Sequence, residues 1–173
     1  MALTTNVRAG IAARQTPTTA LDLAPAAAVP HAKDVALAFA TGTGAGQADL
    51  IFSDTRTIAA SSNEDLDLAG GLTGAFGTSL TFAKVKGIFV AAAAGNTNNV
   101  VVGGAASNGL VNWVGDATDK VVVKPGGILL LSVGTGDLAG YGVTAGTGDL
   151  LRIANSGAGT SVTYDIVVYG TSA

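Results

Sequence analysis

This chain has 173 residues, enough for one domain with a sizeable core, and its formal net charge is −3. Charged residues make up only 12% of it and aromatic residues 5%, whereas soluble domains carry about 25% charged residues. A surface so poor in charge predicts that sister copies or another protein cover part of it. The scattered lysines and arginines argue against nucleic-acid binding, and no apolar run reaches the ~20 residues of a membrane span.

Residues 1–34 differ from the rest of the chain. They contain three of the four prolines and the only histidine, His31, and they have no aromatic residue. Proline has no N–H to donate to a strand ladder, and it forces the residue before it into an extended conformation. We therefore predict an extended N-terminal arm over residues 1–34 and a β-sandwich domain over residues 35–173. The alternative for the arm is a disordered tail.

The arm carries side chains that suit a protein–protein interface. Its leucines and Val29 provide apolar surface to bury, and its arginines can pair with acidic patches on a partner. The predicted interface residues of the arm are Arg8, Arg14, Leu21, Leu23, Val29 and His31. We expect them to lie on a neighbouring subunit or on a shell of other proteins; ordinary solvation of a tail is the alternative.

From residue 35 onwards, short apolar runs alternate with clusters of turn residues. Predicted strands cover residues 35–40, 49–58, 80–92, 98–102, 110–114, 121–123, 128–133, 141–144, 149–154 and 161–169. Residues 61–67 are polar and acidic, and LTGAFG at residues 72–77 is long enough for a single helical turn. Strands at roughly 8–14-residue spacing, with no helical periodicity, predict an all-β, antiparallel sandwich or barrel.

Two of these segments carry the strongest local signals. Pro125 and Gly126 suit the two central positions of a type II turn, and the apolar runs on either side of them are predicted to be buried strands. In the last run, Val162, Tyr164, Ile166 and Val168 alternate with mostly polar residues. This period of two predicts a half-buried strand that fixes the C-terminal segment within the sheet.

No catalytic, cofactor or metal motif stands out. The glycine-rich loops lack the following helix and the lysine that phosphate binding needs. Glu64 is the only glutamate, so a glycosidase acid pair is unsupported, and His31 lies on the arm, where a catalytic base would be poorly oriented. The acidic cluster of Glu64, Asp65 and Asp67 is interpreted as a solvated loop, with a Ca²⁺ site as the alternative. We therefore predict no enzyme activity and no cofactor.

Trp113, the only tryptophan, lies between apolar neighbours. A core or subunit-interface anchor is the expected role, and it joins the predicted interface residues. A carbohydrate-stacking platform is the alternative, although few other aromatic residues are available to complete a binding patch.

The order of several motifs resembles small virion proteins of tailed bacteriophages that decorate or cement the capsid. These motifs are DLAG at residues 67–70, FGTSLTFAKVK at 76–86, an Asn-rich loop, the region around Trp113, VKPGG at 123–127 and VTYDIVV at 162–168. The resemblance covers residues 48–173. It implies a jelly-roll-like β-sandwich, often a homotrimer, that binds the major capsid protein or other virion proteins on the capsid exterior, after synthesis in the host cytoplasm. A tail-tip or fibre module that recognises a host surface glycan is the alternative, and a polysaccharide hydrolase is disfavoured.

Overall fold

The computed structural model describes residues 2–15 and 29–173, so the predicted interface residues Leu21 and Leu23 lie outside the described residues. The described part is all-β, as predicted, and contains no helix that could span a membrane. Its strands are β1 Thr5–Gln15, β2 Val29–Phe39, β3 Leu50–Ile58, β4 Asn63–Asp67, β5 Ala69–Thr73, β6 Ser79–Thr81, β7 Lys84–Ala92, β8 Val100–Gly103, β9 Lys120–Val123, β10 Ile128–Ser132, β11 Tyr141–Gly142, β12 Leu150–Asn155 and β13 Val162–Thr171.

Two antiparallel sheets form the body of the molecule. One has the strand order β10-β7-β13-β3, with the short β11 added beside β7, and the other has the order β4-β12-β8-β9. Apolar side chains from both sheets pack into one core, in which Val90 and Ile166 come from the first sheet and Val102 and Ile153 from the second. The two sheets therefore form a β-sandwich, which confirms the predicted fold class.

The strand order is that of a jelly roll. When the first sheet is written as β3-β13-β7-β10 and the second as β4-β12-β8-β9, the two strands at each equivalent position follow one another in the chain: β3 and β4, β12 and β13, β7 and β8, and β9 and β10. The chain therefore passes repeatedly from one sheet to the other, as in the eight-stranded jelly roll. In β13, the predicted inward residues Val162, Tyr164, Ile166 and Val168 are all buried.

The turn at Pro125 connects the two sheets. Gly126 has φ 73° and the N–H of Gly127 donates to the carbonyl of Lys124 at 2.8 Å, as a type II turn requires. However, β9 before the turn and β10 after it are each the last strand of a different sheet. The prediction that both runs are buried is wrong for this reason: a strand at a sheet edge has neighbours on one side only, and Ile128 is 66% exposed.

Four local expectations also differ from the structure. Residues 61–67 are not a loop, because Asn63–Asp67 forms β4 beside β12. Residues 72–77 form the end of a strand and a turn instead of a helical turn. The predicted strand at 110–114 is a turn region, and the predicted run 80–92 is two strands. In each case the local sequence pattern does not specify the neighbouring strand, and this neighbour decides whether a segment is paired.

Strands β1 and β2 pair only with each other within the described residues. They form an antiparallel two-stranded unit, with Thr5 opposite Phe39 at one end and Gln15 opposite Val29 at the other. We call this unit the N-terminal ribbon. The described residues of the arm that lie in β1 and β2 are thus extended, as predicted, although the pairing of these two strands was not predicted, and β2 runs through the boundary predicted between residues 34 and 35.

Candidate interaction surface

The N-terminal ribbon is the least buried part of the described chain. Every residue in 8–15 and 29–36 is exposed, and only the end near the sandwich is covered. These exposed segments extend over eight residue pairs, or ~26 Å at ~3.3 Å per residue. Because an isolated two-stranded ribbon is at best marginally stable in water, we expect the exposed part to need a surface to lie on.

The covered end of the ribbon is anchored by a small second core. Phe39 is fully buried and its ring lies 5.4 Å from the ring of Tyr169, centroid to centroid. Val7 and Leu37 pack around this pair. The hydroxyl groups of Tyr169 and Ser132 lie 2.6 Å apart in a hydrogen bond, and burial raises the pKa of Tyr169. This end of the ribbon is therefore held rigidly on the sandwich.

The two faces of the ribbon differ in character. Antiparallel partners point to the same side, so Val7, Ala9, Ile11 and Ala13 share one face with Leu37, Val35, Lys33, His31 and Val29. The opposite face carries Arg8 and Arg14 among small residues. Of the predicted interface residues, Val29 and His31 therefore lie on the apolar face, and the two arginines lie on the other.

Trp113 is not part of the ribbon. Its side chain is half-buried against the main core, and its indole Nε1 donates a hydrogen bond to the carbonyl of Leu110 at 2.8 Å. A Cβ atom at Gly103 would lie only 3.4 Å from the edge of the indole ring. The structure therefore places Trp113 as a wall of the sandwich, separate from the other predicted interface residues.

A second apolar surface lies on the five-stranded sheet, on the side away from the core. Pairing aligns Leu130, Phe89 and Val167 in one row across three strands, with Ile128 and Ile51 in the adjacent rows. We call these five residues the outer sheet face. Together with the start of β1 they line a groove of about 430 Å³. The sequence pattern does not reveal this surface, because residues 128–131 of β10 are all apolar and show no alternation.

The acidic cluster is used within the fold. Glu64 accepts hydrogen bonds from the Tyr164 hydroxyl at 2.8 Å and from Arg56 Nε at 2.7 Å. Asp65 accepts two bonds from Arg152, each 2.7 Å long. The described residues contain no group of three side chains placed to hold a metal ion. Glu64 therefore links the two sheets, and Asp65 joins the neighbouring strands β4 and β12.

Lys86 is completely buried beneath the loop that follows β10. Its ammonium group donates a hydrogen bond to the carbonyl of Asp137 at 2.7 Å, and the Asp137 carboxylate lies 3.8 Å away. Burial lowers the pKa of Lys86, because desolvation outweighs the attraction of Asp137. The lysine thus fastens this loop to β7.

The buried lysine gives a pH-dependent stability. Between its folded pKa and its ordinary value of 10.5, the unfolded chain binds more protons than the folded chain. The free energy of unfolding should therefore rise with pH as 10.5 is approached from below, and the Lys86→Met variant should lack this contribution. Urea denaturation of both proteins from about pH 7 to about pH 10 measures the difference; parallel profiles would contradict the assignment.

Comparisons of the chain with protein-family models, with curated proteins and with solved structures find no match.

Proposed function

We propose that this chain is a structural virion protein, most consistent with a decoration or cement protein on the exterior of a tailed-phage head. It would act as a homo-oligomer, with a trimer favoured, and stabilise the shell through its N-terminal ribbon without enzymatic activity. Its partners would be sister copies and the major capsid protein or another virion protein.

The exposed ribbon is the observation that carries this proposal. Eight residue pairs extend beyond the anchored end, and Ile11 is 74% exposed on their apolar face. Burying apolar surface is worth ~25 cal/mol per Å², a gain that is repeated at every copy of a symmetric assembly. The low fraction of charged residues in the chain supports the same proposal.

The fold is compatible with this role but does not by itself select it. Jelly rolls occur in viral capsids and also in lectins and cupins. A glycan-binding module would use Trp113 as a stacking platform, yet its indole N–H is already bonded and its ring packs on the core. We therefore favour assembly over glycan recognition.

Removal of the ribbon tests the proposal. A chain without residues 1–34 keeps Leu37, Phe39 and all of the main core, so we expect a folded sandwich that no longer assembles and no longer binds heads. Light scattering after size-exclusion chromatography measures assembly, and cosedimentation with heads of the encoding virus measures binding. Normal head binding by the truncated chain would contradict the role of the ribbon.

A further inference from the structure

The ribbon and the outer sheet face are two apolar surfaces that a single copy leaves open. The ribbon packs on its own sandwich only through its anchored end, around Phe39 and Tyr169. Beyond that end its apolar face continues as Ala9, Ile11 and Val35, all of which are exposed. We call these three residues with Ala13 and Val29 the distal ribbon face.

The outer sheet face begins where the anchored end of the ribbon stops. Tyr169, which the ribbon covers, lies in the row next to Phe89 and Val167 on the same side of the sheet. One wall of the groove at this place is formed by Thr4 and the first residues of β1, as far as Arg8. A second apolar strand pair that enters the groove would therefore continue the packing that the ribbon's own base has started.

The ribbon cannot fill this groove in its own molecule. Its two strands are in register over eleven pairs without a shift, from Thr5–Phe39 to Gln15–Val29, so its distal part continues away from the anchored end as an extended unit. In the same molecule Ile128 of the groove remains 66% exposed and Val35 of the ribbon 44% exposed. A second copy of the chain can provide an outer sheet face for the ribbon of the first copy, and a ribbon for its outer sheet face.

The charges near the two surfaces are opposite in sign. The ribbon strands have a formal net charge of +2, whereas residues 40–173 as a whole have six Lys and Arg against ten Asp and Glu, a net charge of −4. Of the charged residues of the ribbon strands, Lys33 lies on the apolar face, whereas Arg8, Arg14 and Asp34 lie on the opposite face. Lys33 lies opposite Ile11 on the apolar face, and Asp165 lies in the same row as Ile128 on the outer sheet face. Opposite charges beside matching apolar surfaces favour this pairing over one ribbon packing on another.

We propose that the distal ribbon face of one copy packs on the outer sheet face of a second copy, so that copies join head to tail. The proposal rests on the self-assembly included in the proposed function. Because the two surfaces are different, the contact is heterologous, and a closed ring results when the rotation between copies closes. Each copy then gives one ribbon and receives one.

Two substitutions at exposed positions test this contact. Ile11→Glu places a charge on the distal ribbon face, and Ile128→Glu places one on the outer sheet face. Val122→Glu is the matched control, because Val122 is likewise an exposed β-branched residue in a strand, 50% accessible, but lies in the sheet that contains neither proposed surface. Each of the first two variants should raise the dissociation constant of the assembly at least ~10-fold, and the control should leave it unchanged. Circular dichroism and thermal unfolding verify that each variant is folded.

A mixing experiment distinguishes this arrangement from any symmetric contact. The Ile128→Glu variant retains an intact ribbon, and the Ile11→Glu variant retains an intact outer sheet face. An equimolar mixture should therefore form a one-to-one complex that cannot close into a ring, detected by light scattering or native mass spectrometry. Absence of this complex, or assembly of either variant as well as the wild type, would overturn the proposed contact.

The same data separate this inference from the proposed function. If the full chain assembles and both variants still assemble, the contact is wrong while assembly through another surface stands. If the full chain is monomeric, the contact is also wrong, and cosedimentation with heads decides the virion role independently.

Discussion

Replacement of Gly170 by alanine is expected to lower the free energy of unfolding by about 3 kcal/mol, at the upper end of the cost of overpacking a core. Gly170 lies in β13 where the register against β7 shifts. A Cβ atom at this position would collide with the backbone carbonyl oxygen of Lys84 and would lie 3.0 Å from the Cα of Val85. Backbone atoms in the middle of a sheet cannot move aside as a flexible side chain can, so the central pairing of the sandwich has to distort.

Gly134→Ala is the matched control for this variant. No atom lies within 4 Å of the Cβ that it would add, and Gly134 does not have a positive φ. Since alanine restricts the unfolded chain more than glycine, the control should be neutral or stabilised by about 0.4–1 kcal/mol. Urea unfolding of both variants, with midpoint and slope fitted, measures the contrast. Equal losses in the two variants would show that the register shift tolerates a side chain.

Glu64→Ala is expected to lower the free energy of unfolding by about 2 kcal/mol, because it leaves two hydrogen-bond donors without their acceptor. Glu64 accepts from the hydroxyl of Tyr164, whose side chain is fully buried, and from the guanidinium of Arg56. Burial and then the bond to Glu64 raise the pKa of Tyr164, so its hydroxyl stays a donor. The cost stays below the 3–5 kcal/mol known for deeply buried pairs, since the Arg56 and Glu64 side chains are 34% and 21% exposed.

A second substitution separates the unsatisfied hydroxyl from the lost ion pair. In a Tyr164→Phe background no hydroxyl is left to satisfy, so Glu64→Ala should cost about 1 kcal/mol less than in the wild type. Asp65→Ala in the same strand is the control; its partner Arg152 is partly exposed, so a loss below ~1 kcal/mol is expected. If Glu64→Ala lowers the free energy of unfolding equally in both backgrounds, the unsatisfied Tyr164 hydroxyl does not contribute to the loss.

These two stability predictions concern the sandwich alone. Gly170 and Glu64 lie outside the ribbon and outside the outer sheet face. Their effects should therefore appear in the unfolding of the truncated chain as well as in that of the full chain. This separates the folding of the body from the assembly that the ribbon is proposed to drive.

The sequence indicates several residues of the candidate interaction surface but does not show how they combine into one surface. Val29 and His31 are predicted interface residues, and the structure places both on the apolar side of the ribbon. Phe89 and Val167 are not predicted interface residues, because an apolar residue within a strand indicates core unless the other face of the strand is known to be filled. Trp113 was selected for its residue type, and its position is decided by Leu110 and Gly103.

At two places the amino-acid sequence alone is enough to specify the local structure. Pro125 and Gly126 specify their turn through their own backbone preferences, and the alternation from Val162 to Tyr169 specifies which side of β13 is buried. Which strands are neighbours is a property of the tertiary fold, which places β9 and β10 in different sheets and pairs β1 with β2. Periodicity and turn preference act over only a few residues. Strand pairing, by contrast, depends on hydrogen bonds and packing between segments that are distant in the chain, and these decide which apolar side chains remain exposed.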